Sequence, residues 1–158
     1  MFKSKKNIVI GIILTFIISL IAVVVYAFYD SGKSEEMWAF RDELDKTFFP
    51  IRNEVESCIF LGTTEKNFTC NKDDIESRLK DSSLTLSKYD PKYSDTKKLK
   101  NKIIESITIL EEAIETNDKI SPNDKENFVK SSDELFNVQK KLNENKKEIH
   151  EILDKYYN

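Results

Sequence analysis

Twenty-two consecutive uncharged residues, from Ile8 to Tyr29, follow a short N-terminal tail that contains three lysines. A helix of this length spans the hydrocarbon core of a bilayer. Basic residues that precede such a span favour the cytoplasmic side. The sequence therefore predicts a cytoplasmic basic tail at 1–7, a single-pass transmembrane signal anchor at 8–29 and an extracytoplasmic domain at 30–158. The predicted location is the inner (cytoplasmic) membrane, with a periplasmic or extracellular C-terminal domain.

The apolar segment is longer than the roughly 7–15 apolar residues of a cleavable signal peptide, which favours an anchor that is retained. Cleavage after Ala27 is the alternative, since Val25 and Ala27 form a small-x-small pattern. Gly11, Thr15 and Ser19 recur every fourth residue and so share one helix face, where small side chains let two membrane helices approach. This spacing predicts a homo-oligomer through the membrane helix, although small residues are also common in membrane helices generally.

The segment after the anchor is acidic, and it contains both cysteines. The chain has a net charge of −3, and leaving out the three lysines of the tail brings the net charge of the rest to −6. That balance argues against nucleic acid as a partner. Cys58 and Cys70 lie outside the predicted anchor, where an oxidising compartment favours a disulfide between them, the alternative being two unpaired thiols. The abundance of Lys, Asn, Ile and Asp is typical of AT-rich bacterial or phage coding sequences.

Apolar residues spaced by three and four predict an all-α domain. The predicted helices lie near 34–60, 72–88, 95–117 and 122–157. Gly32 and Gly62 mark breaks between elements, and Pro50 predicts a kink. Because short connections favour antiparallel neighbours, we expect a membrane helix followed by an antiparallel up-down helical bundle of about four helices.

Three residues are predicted to cap these helices. Ser34 precedes the first apolar stripe, and Asn71 precedes the second helix. Ser121 precedes Pro122 at the first helical position of the last helix, with Asp124 as the acid in its first turn.

The last helix has the most regular pattern of the domain. One apolar or aromatic residue recurs every seven positions: Phe128, Leu135, Leu142, Ile149 and Tyr156. Charged residues of alternating sign precede these positions: Glu134, Lys141, Glu148 and Lys155. This pattern predicts a long helix with coiled-coil-like packing. Val129 and Phe136 widen the apolar face of the first half, so we expect several helices to enclose that half and one helix to pack along the second half.

The sequence contains no grouping of residues that points to catalysis. His150 is the only histidine, and without a second histidine or a nearby cysteine it is a poor metal ligand. Neither a glycine-rich phosphate loop nor a nucleophile motif is present. We therefore expect a protein that is not an enzyme and has no cofactor or metal site.

Charge is distributed unevenly along the predicted bundle. In an up-down topology, the turn between the second and third helices and the end of the last helix both return to the membrane. A set of basic and tyrosine residues would then face the lipid surface: Lys88, Tyr89, Lys92, Tyr93, Lys97, Lys98, Tyr156 and Tyr157. Lysines near anionic headgroups contribute about 1 kcal/mol each. The alternative is an ordinary solvated surface.

The opposite end is predicted to contact a partner. Three aromatic residues lie off the first apolar stripe or beside the bridged loop, and three acids lie nearby: Phe49, Phe60, Phe68, Glu65, Asp73 and Asp74. The leading functional prediction is a non-catalytic envelope protein that binds another envelope protein, as an adaptor, inhibitor, exclusion or immunity factor. The alternative is a sensor-like bundle that binds a small ligand between its helices.

Overall fold

The structure is a computed structural model that describes residues 2–61, 71–120 and 124–157. Five α-helices account for most of these residues, and no strand occurs among them. The helices are α1 (Phe2–Thr47), α2 (Phe49–Glu56), α3 (Lys72–Lys88), α4 (Ser94–Asp118) and α5 (Lys125–Leu153). A π-helical segment, Ser57–Leu61, follows α2, and a 3₁₀ turn, Asp154–Tyr156, follows α5. The prediction of an all-α protein is confirmed.

The chain divides into two compact units, Met1–Glu36 and Met37–Asn158. The first unit contains the whole apolar segment, whose described apolar side chains are exposed within the protein. One helix near the N-terminus is long and apolar enough to cross a membrane. This finding agrees with the predicted span, whereas its orientation and compartment stay predictions.

The predicted helix start at Ser34, after a break at Gly32, is wrong. Both residues lie inside α1, which continues to Thr47. A glycine within a helix costs about 1 kcal/mol, whereas ending one helix and starting another requires a new and unfavourable nucleus. Good helix formers on either side of these residues, including Lys33 and Glu35, therefore allow the helix to continue.

The interruption predicted at Pro50 is present, two residues earlier in the chain. Phe48 separates α1 from α2 with φ −103° and ψ −50°, and Pro50 lies in the first turn of α2. Proline has no N–H to donate to a preceding turn, and it is well tolerated at the start of a helix. After α2, the chain continues as the π-helical segment to Leu61, close to the predicted end of the first helix near residue 60.

The boundaries of α3 and α4 agree closely with the sequence prediction. Asn71 caps α3, since its side chain accepts a hydrogen bond from the Asp74 backbone N–H at 3.3 Å. Helix α3 ends at Lys88, shortly before Pro91, and α4 begins at Ser94.

The last helix begins at Lys125, three residues later than predicted. The N-cap of α5 is Asp124, whose carboxylate accepts a hydrogen bond from the Asn127 backbone N–H at 3.1 Å. Ser121 and Pro122 lie outside the described residues. Aspartate and serine are similarly strong N-caps, so the sequence pattern alone does not choose between them.

Contacts between neighbouring helices in the second unit join residues near the start of one helix to residues near the end of the other. Between α3 and α4, the Lys72 ammonium pairs with Asp118, while at the other end Lys100 Nζ donates to the Tyr89 carbonyl at 2.5 Å. Between α4 and α5, early residues of α4 contact late residues of α5. Asp95 accepts a hydrogen bond from the Tyr156 hydroxyl at 2.9 Å.

Helix α2 and the end of α1 contact both α3 and α5. Arg78 Nη1 of α3 donates to Glu54 Oε2 at 2.7 Å, and Lys146 Nζ of α5 donates to Glu56 Oε2 at 2.7 Å. The core between these helices contains the predicted stripes of α1–α2 and α4, including Phe40, Leu44 and Leu110.

The predicted environments of the two halves of α5 are reversed in the structure. In the first half, 44% of Phe128, 59% of Val129 and 67% of Phe136 are exposed. In the second half, Leu142 and Ile149 are 1% and 2% exposed. Lys141 and Glu148, two of the charges that flank the heptad positions, pair with Glu112 at 2.8 Å and with Lys102 at 2.6 Å.

Candidate functional site

The most distinctive concave surface of the second unit lies between α1–α2 and α5. Its volume is about 410 Å³. The side chains that line it are cationic, aromatic or aliphatic, with one acid: Arg41, Asp45, Phe49, Arg52, Lys146, Lys147, Ile149, His150, Leu153 and Tyr157. We call this surface the arginine groove, because two of the three arginines of the chain line it.

Helix geometry explains why these residues share one groove. Arg41, Asp45, Phe49 and Arg52 are separated by four, four and three residues, the spacing of one helix face. The residues from α5 also recur at three and four. The two faces meet because α2 and α5 are joined through the ion pair between Glu56 and Lys146.

At one end of the groove, Arg41 lies against two aromatic rings. Its guanidinium carbon is 4.7 Å from the ring centroid of Tyr157 and 5.2 Å from that of Trp38. The two rings pack edge to face, with centroids 5.3 Å apart. Arg41 Nε is 3.7 Å from Asp45, a long ion pair that is exposed and therefore weak. The aromatic rings thus orient the guanidinium while part of it stays accessible.

At the other end, Arg52 is largely buried beside Phe49, with its guanidinium carbon 4.7 Å from the ring centroid. Its Nε lies 3.4 Å from Glu56 Oε1, and neither atom makes a hydrogen bond. Glu56 also accepts a hydrogen bond from Lys146 Nζ. Burial lowers the pKa of Arg52, and the Glu56 carboxylate opposes that shift. Two cations therefore share one carboxylate at this end.

Two further concave surfaces lie on α3. One, of about 430 Å³, is lined by residues of α3 and α4 that include Glu76, Glu111 and Glu115. The other, of about 240 Å³, is lined by residues of α1, α2 and α3 that include Pro50, Arg78 and Asp81. Neither lining includes an aromatic residue, which distinguishes both from the arginine groove.

The predicted partner-contact residues do not gather into one patch among the described residues. Phe49 lines the arginine groove, whereas Phe60 is half-buried against the core. Asp73 and Asp74 lie in the first turn of α3, and Asp74 pairs with Arg78 at 3.0 Å. Phe68 and Glu65 lie outside the described residues. A partner contact at these residues stays a prediction.

The predicted lipid-contact residues have varied surroundings. Lys88, Lys92, Lys97 and Lys98 are exposed, and Tyr93 is half-buried. Tyr89 stacks on the core residue Phe40 with centroids 4.5 Å apart. Tyr156 is half-buried and donates its hydroxyl hydrogen to Asp95, while Tyr157 is 52% exposed at the groove. Contact of these residues with lipid stays a prediction.

Two other predicted features depend on residues whose surroundings are only partly described. Cys58 lies in the π-helical segment and packs against the core, whereas Cys70 is outside the described residues. Gly11, Thr15 and Ser19 all lie in α1, and the side chains of Thr15 and Ser19 are exposed. The disulfide and the association of membrane helices both stay predictions.

His150 is exposed at the rim of the arginine groove. Within the described ranges, no group of three or more His, Cys, Asp or Glu side chains is arranged to hold a metal ion. The chemistry available at the groove is therefore recognition of charge and apolar surface by guanidinium, ammonium and aromatic groups.

Comparisons with protein-family models, curated proteins and solved structures find no match for this chain.

Sequence reasoning missed that Arg41 and Arg52 lie on one helix face, three helical turns apart. The signal was available, because only three of the 25 basic residues are arginine and two of them share one face of the first predicted helix. Arginine differs from lysine in its planar, multidentate donor set, so its selective placement is informative. The opposite wall from α5 required the tertiary structure.

Proposed function

We propose that this chain is a membrane-anchored extracytoplasmic protein that acts without catalysis, by binding another envelope protein. In this proposal, the apolar part of α1 crosses the cytoplasmic membrane once and the N-terminal lysines remain in the cytoplasm. Residues Met37–Asn158 form an up-down-up-down bundle in which α1–α2 is the first element. The opposite directions of the contacting helices support this topology.

The arginine groove is the observation that carries the binding proposal. Trp, Tyr and Arg are the residue types most enriched among the energetically dominant residues of protein interfaces. Here Trp38, Arg41 and Tyr157 contact one another directly at a surface where Tyr157 is 52% exposed. Helices on both sides hold these side chains in place, which reduces the entropy lost on binding.

The test is site-specific photo-crosslinking of the full chain, with its anchor, in native membranes. A photoreactive amino acid replaces Tyr157 in one variant and Leu84 in another. Leu84 lies on α3 and is 51% exposed, so the two positions are matched in exposure. We expect a discrete protein adduct at position 157 and none at position 84. The same adducts at both positions would contradict binding through the arginine groove.

A second candidate function is small-ligand binding of the sensor type. The volume of the arginine groove, about 410 Å³, lies within the range of ordinary ligand pockets. This function predicts that the purified full chain carries a bound small molecule, detectable by native mass spectrometry, and that position 157 gives no protein adduct. That combined result would replace the protein-binding proposal.

A further inference from the structure

We infer that the arginine groove binds an acidic segment of the partner, in which two carboxylates flank an apolar side chain. This inference rests on the proposed function and specifies the chemistry of the bound partner. The groove combines separated cationic groups with an apolar floor, and the partner chemistry follows from that combination.

Charge provides the first argument. The lining of the groove contains Arg41, Arg52, Lys146 and Lys147 but only one acid, Asp45. The rest of the protein has the opposite balance, because 27 acidic residues lie outside this lining against 21 lysines and arginines. A concave surface lined mainly by one sign of charge attracts ligands of the other sign. An acidic segment is therefore favoured over a basic or neutral one.

The ion pairs within the groove leave its cations only partly compensated. Glu56 is shared between Arg52 and Lys146, and the Arg52–Glu56 contact includes a buried donor and a buried acceptor without hydrogen bonds. The third cation, Lys147, forms an ion pair with Glu151 that is long, at 3.8 Å, and highly exposed. A carboxylate from outside would give the solvent-accessible guanidinium and ammonium N–H groups of the groove a charge-assisted hydrogen bond.

The apolar part of the groove provides the second argument. Phe49 is half-buried on the α1–α2 side and Tyr157, just beyond α5, is 52% exposed, so both rings present apolar surface beside the buried Ile149 and Leu153. A small inorganic anion would leave this apolar surface exposed to water. An apolar side chain placed between the two carboxylates would cover it and gain hydrophobic free energy.

The separation of Arg41 and Arg52 along α1 and α2 sets the spacing of the two carboxylates. Arg41 and Arg52 are eleven residues apart, which corresponds to about 16 Å along helical structure. Residues four apart in an extended peptide are separated by about 13 Å. Arginine and glutamate side chains are both long, and their reach covers the difference between these two separations. Carboxylates at positions one and five of a short extended segment therefore match the two guanidinium groups.

The experiment is peptide binding to the full chain in nanodiscs of uncharged lipid. The probe is acetyl-Glu-Ser-Phe-Ser-Glu-amide, and its matched control is the same peptide with glutamine in place of both glutamates. Trp38 is the only tryptophan of the chain and contacts Arg41, so its fluorescence reports on the groove. We expect the acidic peptide to bind at least about tenfold more tightly than the control. Equal affinities of the two peptides would overturn the inference.

Variants locate the binding. Arg41→Gln is expected to weaken binding of the acidic peptide about tenfold, whereas Arg78→Gln, which changes the arginine outside the groove, leaves it unchanged. Lys147→Gln is a second groove variant. The Lys147 side chain is 78% exposed, so we expect this substitution to have little effect on folding. Isothermal titration calorimetry gives affinities independent of the altered tryptophan environment. Equal effects of Arg41→Gln and Arg78→Gln, or no effect of either groove variant, would overturn the inference.

Two outcomes separate this inference from the proposed function. If benzoate binds as tightly as the acidic peptide, the occupant is a small anion and the inference is wrong. If the acidic peptide fails to bind but position 157 still forms a discrete protein adduct, the acidic-segment inference is wrong and the proposed function stands. If neither the peptide nor the crosslinking experiment gives a positive result, both are wrong.

Discussion

The two halves of α5 have the same heptad pattern but different surroundings. Leu142 is 1% exposed, whereas Phe128, at the same heptad position two heptads earlier, is 44% exposed. Both halves pair with α4, through Asn127 and the Lys119 carbonyl near one end and through Glu148 and Lys102 near the other. A heptad pattern therefore identifies the face that packs, but the number of neighbouring helices determines how deeply the face is buried.

The second half is enclosed because α1 and α2 contact it as well. Lys146 pairs with Glu56, and Tyr157, just beyond α5, packs against Trp38. This half also contains a buried polar layer, in which the Asn145 side chain donates to the Lys102 carbonyl at 3.1 Å and accepts from the Ser106 hydroxyl. Such a polar layer within an apolar interface fixes the register of two helices.

The largest expected difference between the two halves is in core stability. Leu142→Ala is expected to lower the free energy of unfolding by about 2–5 kcal/mol, because it removes a fully buried side chain. Phe136→Ala is expected to change it by less than about 0.5 kcal/mol, as is usual for exposed positions. Urea unfolding of the full chain in detergent, followed by Trp38 fluorescence, measures both. Similar losses for the two variants would contradict the difference between the halves.

The buried polar layer gives the next largest effect. Asn145→Ala is expected to cost about 1–3 kcal/mol, since the Ser106 hydroxyl and the Lys102 carbonyl lose their partner. Asn143→Ala is the control, because Asn143 is an exposed asparagine two residues before Asn145 on the same helix. A double-mutant cycle with Ser106→Ala should show a coupling of about 0.5–3 kcal/mol. Simple additivity in that cycle would show that the layer does not act as a unit.

The third prediction concerns the N-cap of α5, in the more exposed half of the helix. Asp124→Ala is expected to lower stability by about 1 kcal/mol, because it removes the acceptor for the Asn127 backbone N–H. Ser121→Ala, at the position that the sequence pattern favoured, is expected to have the smaller effect. Thermal unfolding followed by circular dichroism compares the two variants. A larger loss for Ser121→Ala would restore the cap predicted from the sequence.

The smallest effect is a pH dependence at the interface of α4 with the second half of α5. The hydrogen bond that Lys102 donates lowers the pKa of Glu148, and the hydrogen bonds that Glu105 and Glu148 accept from Lys102 raise the pKa of Lys102. The contribution of Glu148 to stability is therefore fully present above the pKa of a glutamate in the unfolded chain, about 4.3. It is lost as the pH falls below that value. The contribution of Lys102 to stability is lost as the pH rises through its pKa in the folded protein, which lies above the pKa of about 10.4 of an unfolded lysine.

Unfolding of Glu148→Gln at several pH values measures this contribution. The difference in stability between the variant and the original protein is expected to be largest near neutral pH and to shrink below about pH 4. Lys147→Gln is the control, since Lys147 belongs to a different and more exposed ion pair. A difference that stays constant from neutral to acidic pH would contradict the linkage to Glu148.

The sequence by itself determined the helical elements of this protein and the apolar span near its N-terminus. Periodicity is a local property, so it located α3 and α4 closely, and Asn71 was identified as a cap from its neighbours alone. Gly32 was misread as a break because a glycine in a helix costs only about 1 kcal/mol and the rest of the helix can override that cost.

Only the tertiary structure decided which half of α5 is buried and where the arginine groove lies. The sequence placed Arg41 and Phe49 on one helix face, but it could not place Ile149 and Tyr157 opposite them. Residues about 100 positions apart in the chain meet only when helices pack, and burial depends on all the neighbours that surround a side chain. That sum over neighbours is not contained in the pattern of any one helix.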